Sequence, residues 1–111
     1  MVDGSWYKRL MTMEILNKEK IIATLSQKSE DLKRLKVASM FLFGSVVRNE
    51  ARPESDIDFL VEFSESVGLF DIINLKNFLE KTLGHKVDVV PRDSLREEFK
   101  EQVLKEAIRA A

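Results

Sequence analysis

The feature that most constrains the fold is an Asp-Ile-Asp sequence inside an apolar run, "SDIDFLVEF", at residues 55–63. Alternating apolar residues predict a β-strand over residues 56–63, with Ile57 and Phe59 on one face. Because side chains alternate along a strand, Asp56 and Asp58 share the other face. Two neighbouring carboxylates repel each other and lose hydration on burial, and a divalent cation between them relieves both costs. The motif therefore predicts both a strand and a cation site.

The rest of the chain predicts helices and strands in alternation. Asn17 is placed to cap a first helix, because its side chain can accept hydrogen bonds from free backbone N–H groups. Apolar residues at helical spacing, followed by Gly84, predict a helix with a left-handed terminating residue. Ser94 and Glu97 have the spacing of a capping box that opens a last amphipathic helix, which we expect to pack on the core. The predicted segments are a helix after Asn17, a strand at 38–43, a short helix at 46–51, the strand at 56–63, a helix at 69–83, a strand at 86–90 and a helix carrying Leu95, Phe99, Val103, Leu104 and Ile108.

These segments predict one α/β (α+β) domain, with a small mixed sheet of about three strands flanked by about four helices. A chain of 111 residues has the size of a single domain with a modest core. Its 44% hydrophobic and 33% charged residues are typical of an ordered globular protein. We assign residues 17–111 to the domain. Residues 1–16 are interpreted as an N-terminal extension, disordered or foreign to the natural chain, since Met11 and Met13 are alternative native starts.

Composition excludes several classes of protein. The net charge is −1, from 18 basic and 19 acidic residues, whereas strong nucleic-acid binders carry a basic excess. The absence of cysteine excludes disulfides and thiolate metal sites and is compatible with a reducing cytoplasm. No apolar stretch approaches the roughly 20 residues that span a bilayer, and the N-terminus lacks the apolar core of a signal peptide. We therefore expect a cytoplasmic protein without a membrane partner.

Three further residues are expected to complete the site. Gly44 and Ser45 follow an apolar run in "FLFGSVVR", ten residues before Asp56, and a glycine turn lets the backbone approach a phosphate closely. Asp88 lies in the valine-rich segment "KVDVV", where a buried carboxylate is costly without a partner. If this segment pairs with the strand at 56–63, Asp88 joins the two other aspartates.

The types of ligand indicate the ion and the class of substrate. Three carboxylates, with no cysteine and a single histidine, favour a hard cation, Mg²⁺ or Mn²⁺, over zinc. Magnesium usually takes phosphate oxygens of the substrate, so a nucleoside triphosphate is expected to complete its shell, with two ions clamping an in-line displacement. Taken separately, Gly44-Ser45 has the ordinary explanation of a strand-ending turn, and Asp56 and Asp58 that of a solvated strand edge. Their combination with Asp88 favours the metal–nucleotide site.

The Gly-Ser pair, the ten-residue spacing, the Asp-Ile-Asp sequence and the later "LGHKVDVV" resemble the minimal nucleotidyltransferase family of the polymerase-β superfamily. The resemblance covers roughly residues 18–108, nearly the whole domain. Members of this family serve as the antitoxin half of HEPN/MNT toxin–antitoxin pairs. The combined pattern is specific, whereas either half alone is weak.

The resemblance implies a role for each candidate residue. Gly44 and Ser45 would hold the β- and γ-phosphates at the start of a short helix, in keeping with anion binding at helix N-termini. Asp56 and Asp58 would bind both metal ions. Asp88 would bind the first ion and face the acceptor hydroxyl, so that attack at the α-phosphorus releases pyrophosphate.

One position departs from the family pattern. The family often has Ala-Arg-Gly after the Gly-Ser pair, and this chain has Val47, Arg48 and Asn49 there. Asparagine tolerates a positive φ better than most non-glycine residues, so we expect the turn to be kept. Arg48 keeps its place and is expected to contact the triphosphate or to fix the loop.

The resulting hypothesis is a magnesium-dependent enzyme that moves AMP from ATP to a hydroxyl, a tyrosine of a partner HEPN toxin, and so acts as an antitoxin. The predicted elements leave no residues for an acceptor-binding domain, which favours an acceptor on a partner protein and a hetero-oligomer with the toxin. Two alternatives stay open: an antitoxin that only binds, and an enzyme that modifies a small molecule or RNA. Retention of Asp56, Asp58 and Asp88 argues against the first, and the near-neutral charge argues against RNA.

Overall fold

The computed structural model describes residues 17–48, 50–52 and 54–111. The interpretation of residues 1–16 as an extension lies outside the described residues. The described elements, in chain order, are α1 (Lys18–Ser26), α2 (Ser29–Arg34), β1 (Val37–Phe43), β2 (Ile57–Phe63), α3 (Leu69–Leu83), β3 (Val87–Pro91), a 3₁₀ turn (Arg92–Ser94), α4 (Glu97–Glu106) and β4 (Ile108–Arg109). They form the mixed α/β arrangement that the sequence predicts.

A four-stranded sheet in the order β3-β2-β1-β4 organises the described part of the chain. β1 pairs antiparallel with both β2 and β4, whereas β2 and β3 run parallel. The parallel pair follows from the connection, because two parallel strands need a crossover and α3 supplies it. Of the described helices, none is long and apolar enough to cross a membrane.

The first helix begins, and the third helix ends, where the sequence predicts. Asn17 Oδ1 accepts hydrogen bonds from Glu19 N at 2.9 Å and Lys20 N at 3.2 Å, which confirms the predicted cap of α1. Gly84 terminates α3 with φ at 66°, and its N–H donates to Glu80 O at 2.8 Å. Both ends satisfy backbone groups that a helix otherwise leaves unpaired.

The core lies where α1 and α3 cover one face of the sheet. Alternation along β2 buries Ile57, Phe59 and Val61 almost completely. Spacing of four residues along α3 buries one stripe of leucines. Burying each such side chain contributes about 1.5–3 kcal/mol. The described core cluster consists of Ile21, Leu25, Leu32, Val37, Met40, Leu42, Val46, Ile57, Phe59, Val61, Leu75, Leu79, Leu83, Val87, Val89 and Ala110.

The C-terminal segment differs from the prediction. The last helix begins at Glu97, and Ser94 Oγ donates to Pro91 O at 2.8 Å, so the predicted capping box is wrong. No residue of α4 is buried, and Phe99 is 49% exposed, so this helix is not the predicted core helix. The backbone becomes extended at Ala107, and Ile108 then pairs with Leu42 as part of a fourth strand. This pairing satisfies backbone groups along an edge of β1 that would otherwise be left open.

Candidate active site

The parallel register of β2 and β3 places Asp58 directly beside Asp88. This is the pairing on which the sequence hypothesis depended. Asp58 is half-buried, whereas Asp88 is exposed between the buried Val87 and Val89. The sequence predicted a buried carboxylate in this valine-rich strand, and that prediction is wrong. Alternation along β3 turns Asp88 to the exposed face. Asp56 precedes β2 by one residue and is exposed.

The charges around Asp58 are mostly of its own sign. Burial, followed by the nearby Asp88 and Asp56, raises the pKa of the Asp58 carboxyl to about 6, and Arg48 acts in the opposite direction. Within the described part of the chain, Asp58 and Asp88 make no ion pair and accept no hydrogen bond. Carboxylates arranged in this way hold negative charge available for an external cation.

Gly44 brings bare backbone against Asp58. It follows β1, whose last residue, Phe43, pairs with Asp58 across the antiparallel register. Its φ of 81° is a left-handed value that glycine adopts without strain. A Cβ at this position would collide with Asp58 Oδ2 and lie 3.3 Å from its Cγ. The positive φ favours glycine, and a side chain at this position would force Asp58 to shift. The predicted approach of this turn to a phosphate stays a prediction.

The loop after Gly44 is a turn, so the predicted helix at 46–51 is wrong for the residues described there. Arg48 N donates to Gly44 O at 3.2 Å, but Glu50 N reaches back five residues to Ser45 O at 2.8 Å. A continuing α-helix would keep a spacing of four. The expectation that Ser45 starts a short helix fails with it. Asn49 lies outside the described residues, and its role in the turn stays a prediction.

Arg48 is held between two carboxylates. Its Nε donates to Glu50 Oε2 at 3.2 Å, and its Nη1 donates to Glu106 Oε2 at 3.0 Å. Glu50 and then Glu106 raise the pKa of the Arg48 guanidinium. Arg48 also acts electrostatically on Asp58, which places it at the same edge of the sheet as the aspartates.

The sequence interpretation missed Glu106 as part of this edge. It gave this residue of the predicted last helix no role in the site. No local signal could have found it, because helical spacing of apolar residues continues to Ile108, and only the pairing of β4 with β1 brings Glu106 to Arg48.

The donor set is suited to a hard divalent cation. Carboxylate oxygens are the ligands that Mg²⁺ and Mn²⁺ prefer, and Asp58 has two acidic neighbours that raise its pKa. Among the described residues, however, no three Asp, Glu or His side chains stand close enough together to form a metal site. Mutual repulsion of the carboxylates opposes such a gathering. The residues thus fit the ion by chemistry, and holding it requires their side chains to turn inward.

A groove of about 520 Å³ opens at the opposite end of the same strands, lined in part by Phe63, Ile72 and Pro91. Its acidic lining residues are Glu62, Glu65 and Asp93, of which Glu62 is paired with Arg92 at 2.7 Å and Glu65 with Lys36 at 3.4 Å. The neighbouring carboxylates of Asp58 and Asp88, which make no ion pair with a described residue, lie at the other end of these strands. We therefore place the candidate chemistry there and not in the groove.

Comparison with known proteins shows the family to which this fold belongs. Residues 18–110 match the family described as "Nucleotidyltransferase domain". The protein adenylyltransferase MntA of Thermococcus cleftensis is 38% identical over 97 residues, which cover 86% of this chain and 98% of that protein.

Solved structures show the same fold. One assigned provisionally to the minimal nucleotidyltransferases is 40% identical, with a TM-score of 0.72, and the similarity covers 83% of this chain and 94% of that one. A chain of a toxin–antitoxin complex crystallised with AMP-PNP is 25% identical, with a TM-score of 0.64, over 86% of this chain and 73% of its own length.

Proposed function

The chain belongs to the nucleotidyltransferase domain family, and we propose that it transfers AMP from ATP to a hydroxyl group of a partner protein. The observation that carries the proposal is the position of Asp58, which lies beside Asp88 and against the bare backbone of Gly44. Unpaired carboxylates next to a glycine turn suit a substrate that brings cations and phosphates together. The adenylyltransferase name of the archaeal relative supports AMP as the transferred group.

The triphosphate would be held by the turn after β1. Gly44 has no side chain to keep a phosphate away, and the hydroxyl and N–H of Ser45 are donors for phosphate oxygens. Arg48 supplies a fixed positive charge at the same edge, which attracts the phosphates and opposes their repulsion by the aspartates. These residues supply binding and orientation, which are the largest protein contributions to phosphoryl-type transfer.

Asp56, Asp58 and Asp88 would hold Mg²⁺, or Mn²⁺ in its place. When bound, such an ion neutralises the charge of the phosphate oxygens and of the departing pyrophosphate. Asp58, half-buried at the centre of the three, is the residue whose loss should weaken binding most.

The transfer itself is an in-line displacement. The acceptor oxygen forms a bond to the α-phosphorus, the bond from that phosphorus to the bridging oxygen breaks, and pyrophosphate leaves with the electron pair. The hydroxyl proton passes to the carboxylate of Asp88. Asp88 suits this role because it is exposed, so a hydroxyl on another protein can reach it.

The acceptor is proposed to be a tyrosine of a HEPN toxin, with this chain as the cytoplasmic antitoxin. The resemblance of the motifs to the family of HEPN/MNT antitoxins names this partner. The toxin–antitoxin complex with AMP-PNP supports it, since one of its chains shares this fold at 25% identity. Transfer of AMP would add bulk and charge to the toxin and thereby silence it.

The proposal is tested by giving the purified protein and the HEPN protein of the same source ATP labelled at either the α- or the γ-phosphate, with Mg²⁺. We expect the α label alone to enter the HEPN protein. The double variant Asp56→Asn/Asp58→Asn should lose transfer by at least about 100-fold, because charge stabilisation of this kind is worth that much or more. Glu62→Gln, at the other end of β2, serves as the matched control and should keep full transfer.

Two results would contradict the proposal. Transfer that survives in the double variant would remove the aspartates from the reaction. A stable complex with the HEPN protein, but no label from either position, would instead identify an antitoxin that works by binding only.

A further inference from the structure

The C-terminal end of α4 reaches the candidate site through a single side chain. Glu106 is the last residue of α4, and its Oε2 accepts a hydrogen bond from Arg48 Nη1 at 3.0 Å. We propose that Glu106 is a positioning residue that holds the Arg48 guanidinium in place for the triphosphate. This inference rests on the proposed function and assigns to the C-terminal segment a part in it.

Glu106 is itself held in place by the sheet. Two residues beyond it, Ile108 pairs with Leu42 of β1, and Ala110 N donates to Met40 O at 2.8 Å. The short strand therefore ties the end of α4 to the same strand that leads into the Gly44 turn. Because no residue of α4 is buried, this strand is an anchor that helps to determine where Glu106 lies.

The guanidinium is held from two sides and still has donors left. Glu50 accepts a hydrogen bond from Nε at 3.2 Å, and Glu106 accepts one from Nη1. Arginine carries five N–H donors in a rigid planar fork, so these two contacts leave others for a phosphate. Two carboxylates bound to different nitrogens of the fork fix the plane of the group. Since a long side chain loses rotamer freedom when it binds a ligand, fixing it beforehand favours binding.

Glu106 could instead compete with the triphosphate for Arg48, and binding measurements distinguish this effect from positioning. If Glu106 competed with the triphosphate for Arg48, its removal would strengthen nucleotide binding. If Glu106 positions Arg48, its removal weakens binding, and the weakening disappears when Arg48 is absent. The direction of the change and its dependence on Arg48 therefore decide between the two.

The test measures the dissociation constant of AMP-PNP with Mg²⁺ by calorimetry on the full chain. We expect Glu106→Ala to weaken binding about three- to fivefold, as suits a partly exposed ion pair. Glu106→Gln keeps an acceptor for Nη1 and should recover part of the loss. Glu101→Ala, an exposed glutamate on the same helix, is the matched control and should bind as the unchanged chain does. In the Arg48→Ala background, Glu106→Ala should have no further effect.

Transfer kinetics supply a second measurement: Glu106→Ala should raise KM for ATP and leave kcat nearly unchanged, and thermal unfolding checks that each variant is folded. Unchanged or tighter binding by Glu106→Ala overturns the inference, as does an equal effect in the Arg48→Ala background. A wild-type chain that binds AMP-PNP but transfers nothing refutes the proposed function and leaves the affinities to decide the role of Glu106. A wild-type chain that binds no AMP-PNP overturns both.

Discussion

The carboxylates at the two ends of β2 differ in whether they are paired with a positive charge. At its far end, Glu62 accepts a hydrogen bond from Arg92 at 2.7 Å and lies 3.4 Å from Ser39 Oγ on the neighbouring strand. At its beginning, Asp58 lies beside Asp88 and makes no ion pair with any described residue. Both carboxylates point to the same face of one strand, so strand geometry does not explain the difference.

The acidic groups near the far end are also stabilised as anions. The Gly68 N–H, followed by Lys36, lowers the pKa of the Asp71 carboxyl, whereas burial and like charges raise that of Asp58. A protein that needed only a stable sheet would gain by treating both ends alike. The unpaired end therefore indicates a function that requires open carboxylates, and it should cost stability, as perturbed functional sites commonly do.

The largest effect is expected where backbone and carboxylate meet, at Gly44. Gly44→Ala should destabilise the fold by about 2–4 kcal/mol, because alanine at positive φ costs about 1–2 kcal/mol and the collision with Asp58 adds an overpacking cost. Gly84→Ala has a similar φ of 66° but open space around its Cβ, so it measures the conformational cost alone. Urea unfolding of both variants gives the difference.

Gly68→Ala completes that comparison, since Gly68 has extended backbone and nothing within 4 Å of a Cβ. It should cost about 0.5–1 kcal/mol, because Gly68 is the N-cap of α3 and alanine is a poorer N-cap than glycine. Equal losses for Gly44→Ala and Gly84→Ala would mean that Asp58 does not press against the turn.

The carboxylate end of β2 could be predicted from sequence because its geometry is local or follows from simple topology. Alternation along β2 places Asp58 on the face opposite Ile57 and Phe59, as predicted, whereas Asp56 lies one residue before the strand. The helix α3 between β2 and β3 is the crossover that a parallel pair needs, and their register then brings Asp88 beside Asp58. The glycine turn has its own chemical reason, the missing Cβ.

The C-terminal segment could not be predicted in the same way. Its apolar residues keep helical spacing up to Ile108, and no turn residue separates α4 from β4. What ends the helix is the free edge of β1, a tertiary partner more than 60 residues earlier in the chain. The contact between Arg48 and Glu106 depends on that pairing, so residue types and spacing contain no sign of it.

The second prediction measures the cost of the unpaired end directly. Asp58→Asn should stabilise the fold at pH 7 by about 1–2 kcal/mol, after allowance for solvent screening of a half-buried group. Because the folded pKa of about 6 exceeds the unfolded value of 3.8, the folded state binds the proton more tightly. Wild-type stability should therefore fall as pH rises from about 4 to 6, and Asp58→Asn should remove that decline.

Asp71→Asn provides the contrast, because the pKa of Asp71 is lowered in the folded state. Its stabilising contribution is present above the unfolded pKa and is lost as pH falls through the folded one, so this variant should be less stable than wild type at neutral pH. Denaturant unfolding across pH 3.5–8 checks both variants. A flat wild-type profile between pH 4 and 6 would contradict a raised pKa of Asp58 in the folded state.

The third prediction concerns the stability that added Mg²⁺ gives to the end of β2 with the open carboxylates. Mg²⁺ at ten times its Kd should stabilise the wild-type chain by about 1.4 kcal/mol, the value for one-site binding to the folded state. The gain should appear as a higher Tm at constant ionic strength. Asp58→Asn should lose most of it, and Glu62→Gln should keep it. An equal gain in all three proteins would place the magnesium site elsewhere.

The smallest effect is expected at the paired end of β2. Glu62→Gln removes the charge that Arg92 meets, but both side chains are more than 40% exposed, so the loss should be about 0.5 kcal/mol or less. Adding Arg92→Ala should then change little, because the partner charge is already gone, and a double-mutant cycle in urea measures this coupling. A coupling well above 1 kcal/mol would mean that the exposed pair fixes the sheet edge. In that case the Glu62–Arg92 pair would stabilise the fold far more than its exposure to solvent indicates. It would then offset much of the stability that is lost at the open carboxylates of Asp58 and Asp88.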